Sequence, residues 1–188
     1  MGFKEYVKEI SIVILGILIA FWINNLGVEY KEYRTRKQIL YTMLSELEGN
    51  NKNIYDKIEE LKNLSEDFDK LSSEGTSGEL KIEFHEITLV TASYETAKYT
   101  GIFKDIDYSV VSKIVGNYER QESCIEFDED VEQRLFSMIG NGISNKDNLT
   151  YLIKLIDLFV DNLEAAGHKQ KVLIKALRNY LESNSFFL

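Results

Sequence analysis

The 188-residue chain is acidic, with 31 Asp and Glu against 22 Lys and Arg and a formal net charge of −9 at pH 7. Its length suits one domain with an appendage, and an acidic body without a basic face argues against a nucleic-acid partner. The single cysteine, Cys124, excludes an intrachain disulfide. The chain contains no proline, which favours long helices because proline breaks them.

Residues 10–23 form the most apolar run of the chain. As a helix these fourteen residues span about 21 Å, against about 30 Å for a bilayer core, and an extension to Val28 adds two asparagines. The run is apolar on every side of the helix, and Trp22 near one end suits the headgroup zone. We therefore predict a transmembrane anchor over residues 9–28, after a tail of residues 1–8. The residues assigned to the anchor are Ile10, Ile14, Gly16, Ala20, Trp22, Asn24 and Asn25.

Two other interpretations of this run stay open. Apolar runs of about 10 to 14 residues are often core helices of soluble domains. A cleaved signal peptide is the other interpretation, and Phe21, Trp22 and Ile23 disfavour it because a cleavage site needs small residues. The small residues Gly16 and Ala20, four positions apart, also permit close contact with a second copy of the same helix.

Four basic residues lie just after the predicted anchor, and we call them the basic collar. Near anionic lipid each basic side chain contributes about 1 kcal/mol of binding, so we predict contact with lipid headgroups. The alternative is an ordinary solvated helix end. Only two lysines precede the anchor, and this charge bias favours a cytoplasmic bundle over an external one. The collar consists of Lys31, Arg34, Arg36 and Lys37.

The opening motif resembles that of a known family. The string EISIVILGILIAFWINN at residues 9–25 is similar to the opening of a bacterial family of uncharacterised proteins, the domain of unknown function DUF6090. The segment YETAKYTGIF at residues 94–103 resembles a second, looser motif of that family, and a helix predicted from Asp107 to Tyr118 follows it, as in the family. The chain departs from the family pattern at Leu26 and Tyr94, where tryptophan is usual. The resemblance implies a membrane-anchored helical protein and no established activity.

Apolar residues recur every seven positions after the anchor, which is the pattern of a helix with one apolar seam. We predict a long juxtamembrane helix, or stalk, over residues 29–71, with a kink or a break near residues 48–51, where glycine and asparagine lower helix propensity. The seam either pairs with another copy as a coiled coil or packs against later helices of this chain. It consists of Leu40, Leu47, Ile54, Leu61 and Phe68.

The rest of the chain predicts a helical bundle over residues 80–188 that packs with the stalk, after a loop at residues 72–79 rich in Ser and Gly. Residues 82–98 are predicted to form a helix ended by Gly101. The partial alternation of residues 80–90 leaves a strand open at that place.

Asp107 and Asp128 are the predicted N-caps of two following helices, the second of which stops at residues 140–142. Residues 149–166 and 172–181 predict two more helices. The first of these has one polar stripe, which argues against a second membrane span. The stripe consists of Lys154, Asp157, Asp161 and Glu164. We therefore predict an all-α fold, with a single N-terminal transmembrane helix continuing into a long helix and a bundle.

No motif for catalysis or for a cofactor emerges from the sequence. His85 and His168 are the only histidines and lack the spacing of metal ligands. Phosphate-binding glycine loops and nucleophile elbows are absent. We expect a non-enzymatic scaffold or interaction or sensor module in the bacterial inner membrane, acting through membrane lipid, a second copy or a protein partner. The alternatives are a receptor or enzyme with a pocket inside the bundle, and a subunit of a larger membrane complex.

Overall fold

The computed structural model describes residues 2–74, 82, 84–140 and 146–183, and these residues are helical apart from short connections. The all-α prediction is confirmed, and the described residues contain no strand. The elements in chain order are α1 at Phe3–Glu74, α2 at Ala92–Thr100, a 3₁₀ turn at Ile102–Asp105, α3 at Tyr108–Gly140 and α4 at Lys146–Ser183.

The chain divides into two compact units, residues Met1–Leu40 and Tyr41–Leu188, which we call unit 1 and unit 2. Unit 1 contains the first part of α1. The most apolar 18-residue window of that helix has no buried residue. By length and composition α1 is able to cross a membrane, and it is the one helix among the described residues that meets this criterion.

Unit 2 is a bundle in which the second part of α1 packs with α3 and α4 around one apolar core. The contact of Glu46 with Tyr118 and that of Lys57 with Asp128 show that α1 and α3 run in the same direction. The later helix α4 runs opposite to both. Fully buried core residues include Ile54, Leu61 and Phe68 of α1, Val131 and Leu135 of α3, and Ile156, Phe159 and Leu163 of α4.

The residues of the predicted seam are buried. Leu40 is 1% exposed and the other four are 0% exposed. Ile54, Leu61 and Phe68 belong to the core that α1 shares with α3 and α4, so this part of the seam packs within the chain. Pairing of the seam with a second copy stays a prediction.

Of the kink or break predicted at residues 48–51, the break is wrong, because α1 is continuous there. Leu47 and Ile54 are fully buried on either side of the predicted break, which fixes both neighbouring turns in the core. The side chain of Asn50 bonds to other segments and therefore does not compete for the hydrogen bonds of its own helix.

Helix α1 extends beyond the predicted stalk at both ends. The helix begins at Phe3, so the tail predicted at residues 1–8 is mostly helix, since residues 3–8 contain no glycine or proline. It continues to Glu74, and Ser73 Oγ donates to the Lys70 carbonyl at 2.9 Å within this last turn. Residues 75–79 of the predicted loop lie outside the described residues.

Residues 84–91, which we call the strap, have no regular secondary structure, so the helix predicted over residues 82–98 is wrong before Ala92. Ile87 and Leu89 are buried and their neighbours are exposed, which is the alternation of an extended chain. The strap does not form a helix because side chains of α1 and α3 bind its backbone groups. The end of α2 is as predicted: Gly101 has a φ of 68°, in the left-handed region.

Asp107 precedes α3 and accepts from the Ser109 N–H at 2.7 Å, as expected of a cap. Asp128 is not an N-cap, because α3 is one helix of 33 residues with Asp128 in its second half. The helix continues because buried residues recur at three and four positions on both sides of Asp128. Helix α3 is described as far as Gly140, the first residue of the predicted stop. Residues 141 and 142 of that stop lie outside the described residues.

The two helices predicted at residues 149–166 and 172–181 are one helix, α4, of 38 residues. Gly167 does not end it because buried residues continue on the same face of the helix. At Gly167 a Cβ atom would lie 3.2 Å from Tyr55 Oη, so the glycine permits the close approach of α1. The predicted polar stripe of α4 is exposed along its length.

Candidate functional site

One face of α1 in unit 2 carries five polar residues spaced four, three, four and three positions apart. This spacing keeps side chains on one side of a helix. Each of the five binds a backbone group of the strap or of Ser93 just after it, and we call the set the polar ladder. It consists of Glu46, Asn50, Asn53, Lys57 and Glu60.

The two asparagines of the ladder bind the second half of the strap. Asn50 Nδ2 donates to the Val90 carbonyl at 2.7 Å, and Asn50 Oδ1 accepts from the Val90 N–H at 2.8 Å. Asn53 Nδ2 donates to the Thr88 carbonyl at 2.8 Å. These bonds satisfy main-chain groups that a neighbouring strand would satisfy in a sheet.

Lys57 is the centre of the ladder, and only 3% of its side chain is exposed. Its ammonium donates to the His85 carbonyl and lies 3.0 Å from Glu60 Oε1 and 3.1 Å from Asp128 Oδ1. The same nitrogen lies 3.4 Å from the centroid of the Phe84 ring. These partners offset the desolvation of the buried charge, which costs several kcal/mol per ion.

Asp128 supplies the matching group from α3. Its Oδ2 accepts from the Ile87 N–H at 2.7 Å, and its side chain is 3% exposed. Burial raises the pKa of Asp128 above its usual value, although the Ile87 N–H and the charge of Lys57 both act to lower it. The strap is therefore held between a carboxylate of α3 and an ammonium of α1.

A chain of amides connects the ladder to the other two long helices. Asn50 Nδ2 also lies 3.1 Å from Gln121 Oε1 of α3. Gln121 Nε2 donates to Gln170 Oε1 of α4 at 2.9 Å, and Gln170 Nε2 donates to the Leu47 carbonyl. All three amide side chains are buried, so the network fixes the register of α1, α3 and α4.

The carboxylate of Glu46 at the end of the ladder joins the strap to an aromatic pair. It accepts from the Ser93 N–H at 2.9 Å and from Tyr118 Oη at 2.6 Å. Burial and this carboxylate raise the pKa of Tyr118. The Tyr118 ring stacks on Tyr94 with centroids 4.4 Å apart.

A surface groove of about 570 Å³ lies beside this aromatic pair. Four glutamates and one lysine, Lys98, contribute to its lining with the two tyrosines, so its surface carries a net negative charge. The glutamates are Glu95, Glu119, Glu122 and Glu126.

The polar ladder binds backbone groups, and among the described residues its side chains do not form an arrangement of nucleophile and base. The carboxylates and the ammonium of the ladder are already engaged with the strap. His85 is an exposed side chain whose Nδ1 lies 3.1 Å from Glu60 Oε2. Among the described residues no group of three His, Cys, Asp or Glu side chains could hold a metal ion.

The structure places the predicted anchor residues on the surface of unit 1. Ile10, Ile14 and Trp22 are 40%, 52% and 65% exposed. Gly16, Ala20, Asn24 and Asn25 are also exposed. In the basic collar, Lys31 and Arg34 are exposed, whereas Arg36 and Lys37 are half-buried. The role of these residues toward lipid stays a prediction.

The polar ladder was missed by the sequence reasoning. Its signal was present, because polar residues at alternating spacings of four and three lie beside the apolar seam, and Ile87 and Leu89 alternate with polar or exposed neighbours. Neither pattern by itself indicates that the polar residues of α1 bind the backbone of the strap. Comparison with protein-family models, curated proteins and solved structures finds no match to this chain.

Proposed function

We propose that this chain is a non-enzymatic, membrane-anchored helical module whose bundle acts by self-association or by binding another protein. The observation that carries the proposal is the contrast between the two units. Unit 2 has an apolar core of its own, whereas the apolar window of α1 has no buried residue. Such an exposed stretch is unfavourable in water, since full burial of one large aliphatic side chain contributes about 1.5 to 3 kcal/mol.

The residues that flank the apolar window support lipid as its environment. Trp22 is 65% exposed, and an indole suits the boundary between hydrocarbon and headgroups. The basic collar follows within a few turns and offers cations to anionic lipid. The more basic flank would lie on the cytoplasmic side of a bacterial inner membrane, and the bundle, which follows this flank, would then be cytoplasmic.

The organisation of unit 2 supports an interaction role. Its buried polar groups face the strap and one another, and the ladder and amide network are structural. The grooves that remain lie at the surface between helices. Because these polar groups are used within the fold, the surface of the bundle is the part left for binding a partner.

Membrane extraction tests the anchor. The full chain should remain with membranes after alkaline carbonate washing. A variant with Ile14→Asp and Leu18→Asp should wash off, because each central carboxylate costs roughly 2.5 to 3.5 kcal/mol in a helix that crosses the bilayer. The matched control is Ile14→Ala with Leu18→Ala, which keeps the helix apolar and should stay in the pellet. Release of the wild-type chain by carbonate would overturn the proposal.

A further inference from the structure

Two tyrosine side chains of unit 2 are far more exposed than its other aromatic side chains. Tyr99, near the end of α2, is 89% exposed, and Tyr108, at the start of α3, is 84% exposed. Among the described residues of unit 2, no other large apolar or aromatic side chain is more than 53% exposed. The two tyrosines bracket the connection between α2 and α3, and we call residues 99–108 the tip.

The backbone of the tip is held in place by side chains that pack into unit 2. Ile102 and Ile106 are 8% and 6% exposed. The ring of Phe103 lies with its centroid 6.0 Å from that of Tyr94. These contacts fix the segment between the two tyrosines, so the exposure of both rings belongs to a packed part of the fold.

The tip lies at the end of unit 2 where α1 enters it. Tyr118 Oη donates to the carboxylate of Glu46, and α3 runs in the same direction as α1. Tyr108 lies ten residues before Tyr118, about 15 Å along α3. Tyr41, the first residue of unit 2, lies five residues before Glu46, about 8 Å along α1. The start of α3 therefore reaches at least as far in this direction as Tyr41.

The length of the chain keeps this end of unit 2 close to the predicted anchor. Thirteen positions separate Val28, the last residue of the predicted anchor, from Tyr41. These positions are part of α1 and span about 20 Å as a helix, and even a fully extended chain of this length would span at most about 45 Å. A membrane that holds the anchor is therefore a surface that this end of unit 2 can reach.

We propose that the tip contacts the headgroup layer of the membrane that holds the anchor, with the rings of Tyr99 and Tyr108 at its boundary with the hydrocarbon. A tyrosine ring is apolar and its hydroxyl group is polar, and tyrosine is enriched at this boundary in membrane proteins. The inference rests on the proposed anchor. It assigns a lipid surface to unit 2 itself, in addition to any protein partner.

The charge of this end of unit 2 permits contact with anionic lipid. Unit 2 as a whole contains 27 acidic and 16 basic residues, so a negatively charged surface repels it. Residues 92–116, which include the tip, contain three of each and have no net charge. Lys104 and Lys113 are exposed there, and lysines near a membrane surface are attracted to anionic headgroups.

The contact is weak by itself, because it consists of two aromatic side chains and two lysines. The anchor holds the tip at a high effective concentration beside the lipid, so a weak contact is sufficient. Attachment at α1 and at the tip would orient unit 2 on the membrane. Tyr151 lies at the other end of the unit, because its hydroxyl accepts from Arg134 Nη1, and Arg134 follows Asp128 by six residues along α3.

Single-tryptophan fluorescence of the full chain in lipid vesicles tests the proposal. Trp22 is the only tryptophan, so Tyr99→Trp, Tyr108→Trp and Tyr151→Trp, each combined with Trp22→Phe, report one position at a time. The vesicles contain phosphatidylcholine and phosphatidylglycerol, with a nitroxide on some headgroups of both leaflets. We expect the emission from positions 99 and 108 to shift to the blue and to be quenched by the nitroxide. Tyr151→Trp, the matched control at the other end of unit 2, should show neither change.

Emission from Trp22 in the otherwise unchanged chain measures the anchor separately, through quenching by lipid with brominated acyl chains. Quenching of Trp22, with no more quenching at positions 99 and 108 than at position 151, would overturn the inference and leave the anchor standing. Absence of quenching at Trp22 and at the tip would contradict both. A blue shift at the tip without nitroxide quenching, lost when the chain is diluted with lipid, would mean that a second copy covers the tip and would also overturn the inference.

A charge-reversed variant tests the attraction to anionic lipid. Lys104→Glu with Lys113→Glu should reduce the nitroxide quenching of Tyr108→Trp in vesicles that contain phosphatidylglycerol, because this end of unit 2 then carries a net negative charge. In vesicles of phosphatidylcholine alone the quenching should not change. Both lysines are exposed, so the variant should fold, and circular dichroism checks this. Equal quenching with and without the two substitutions in phosphatidylglycerol would contradict the proposed attraction between the tip and anionic lipid.

Discussion

Asn50 and Val90 form a two-way hydrogen-bonded pair, in which one side-chain amide binds both the N–H and the carbonyl of one backbone residue. The two distances are 2.8 Å and 2.7 Å. The residues are 40 positions apart in the chain, so this pair joins a helix to a distant segment. The side chain of Asn50 makes the two hydrogen bonds that a neighbouring strand would make in a sheet, so this part of the strap is ordered without a sheet.

Asn50→Ala should destabilise the bundle by about 2 to 4 kcal/mol, because it leaves the part-buried N–H and carbonyl of Val90 without their side-chain partner and removes a buried bond to Gln121. Urea unfolding of the full chain in mild detergent, followed by circular dichroism, measures this. Asn53→Ala is the matched control, since it removes one exposed bond to Thr88 and should cost about 1 kcal/mol or less. Equal losses for the two variants would contradict the role of Asn50.

The buried pair of Lys57 and Asp128 should show strong coupling in a double-mutant cycle. Lys57→Met should cost roughly 3 to 5 kcal/mol, because it leaves Asp128 buried without its opposite charge. Asp128→Asn should cost less, because burial already disfavours the charged form of this side chain. The double variant should cost at least about 1 kcal/mol less than the sum of the two. Additive losses of unfolding free energy would show that the two charges do not stabilise each other.

The free energy of unfolding should depend on pH through Asp128. Burial raises the pKa of this carboxyl in the folded state above its ordinary value of 3.8. The folded state therefore binds a proton more readily than the unfolded state, and this contribution rises as the pH falls from the folded pKa toward 3.8. Urea unfolding of the wild type and of Asp128→Asn between pH 7 and about pH 4 should show the wild type gaining relative to the variant. A relative loss on acidification would mean that the ion pair outweighs desolvation.

Cys124 should react slowly with thiol reagents while the chain is folded. Burial raises its pKa to about 11, from an ordinary 9.0. At pH 8 the thiolate fraction is then about 100-fold lower than for an ordinary thiol, and the thiolate is the reacting species. Colorimetric thiol titration should show at least this difference between native chain and chain in guanidinium. Rates within a few-fold of each other would place Cys124 at an accessible position.

The elements that the sequence predicted well are those whose signal is local. The seam, with its spacing of seven positions, identified five residues that are at most 1% exposed, because helix periodicity alone decides which residues share a face. Gly101 was predicted to end a helix with a left-handed residue, and it does, since only glycine adopts that conformation at no cost. The continuous apolar run near the amino terminus is also a local signal, and it indicated a helix apolar enough to cross a membrane.

The predictions that were wrong concern segments whose structure depends on partners far away in the chain. Gly49 and its neighbouring asparagines lower helix propensity, yet α1 passes through them because Leu47 and Ile54 are held in the core. Asp128 has the composition of a cap, but its carboxylate is used inside α3 to bind Ile87, 41 positions away. The strap fails as a helix for the same reason.

The sequence alone determined that this chain is helical, that residues near its amino terminus are apolar enough to cross a bilayer, and which side of the stalk is buried. Those properties follow from side-chain chemistry repeated at the helical period. Only the tertiary structure decided that residues 84–91 leave the helix to bind the polar ladder. This depends on which groups meet after folding, and the free energy of burying satisfied polar groups exceeds the small differences in local propensity that the sequence displays.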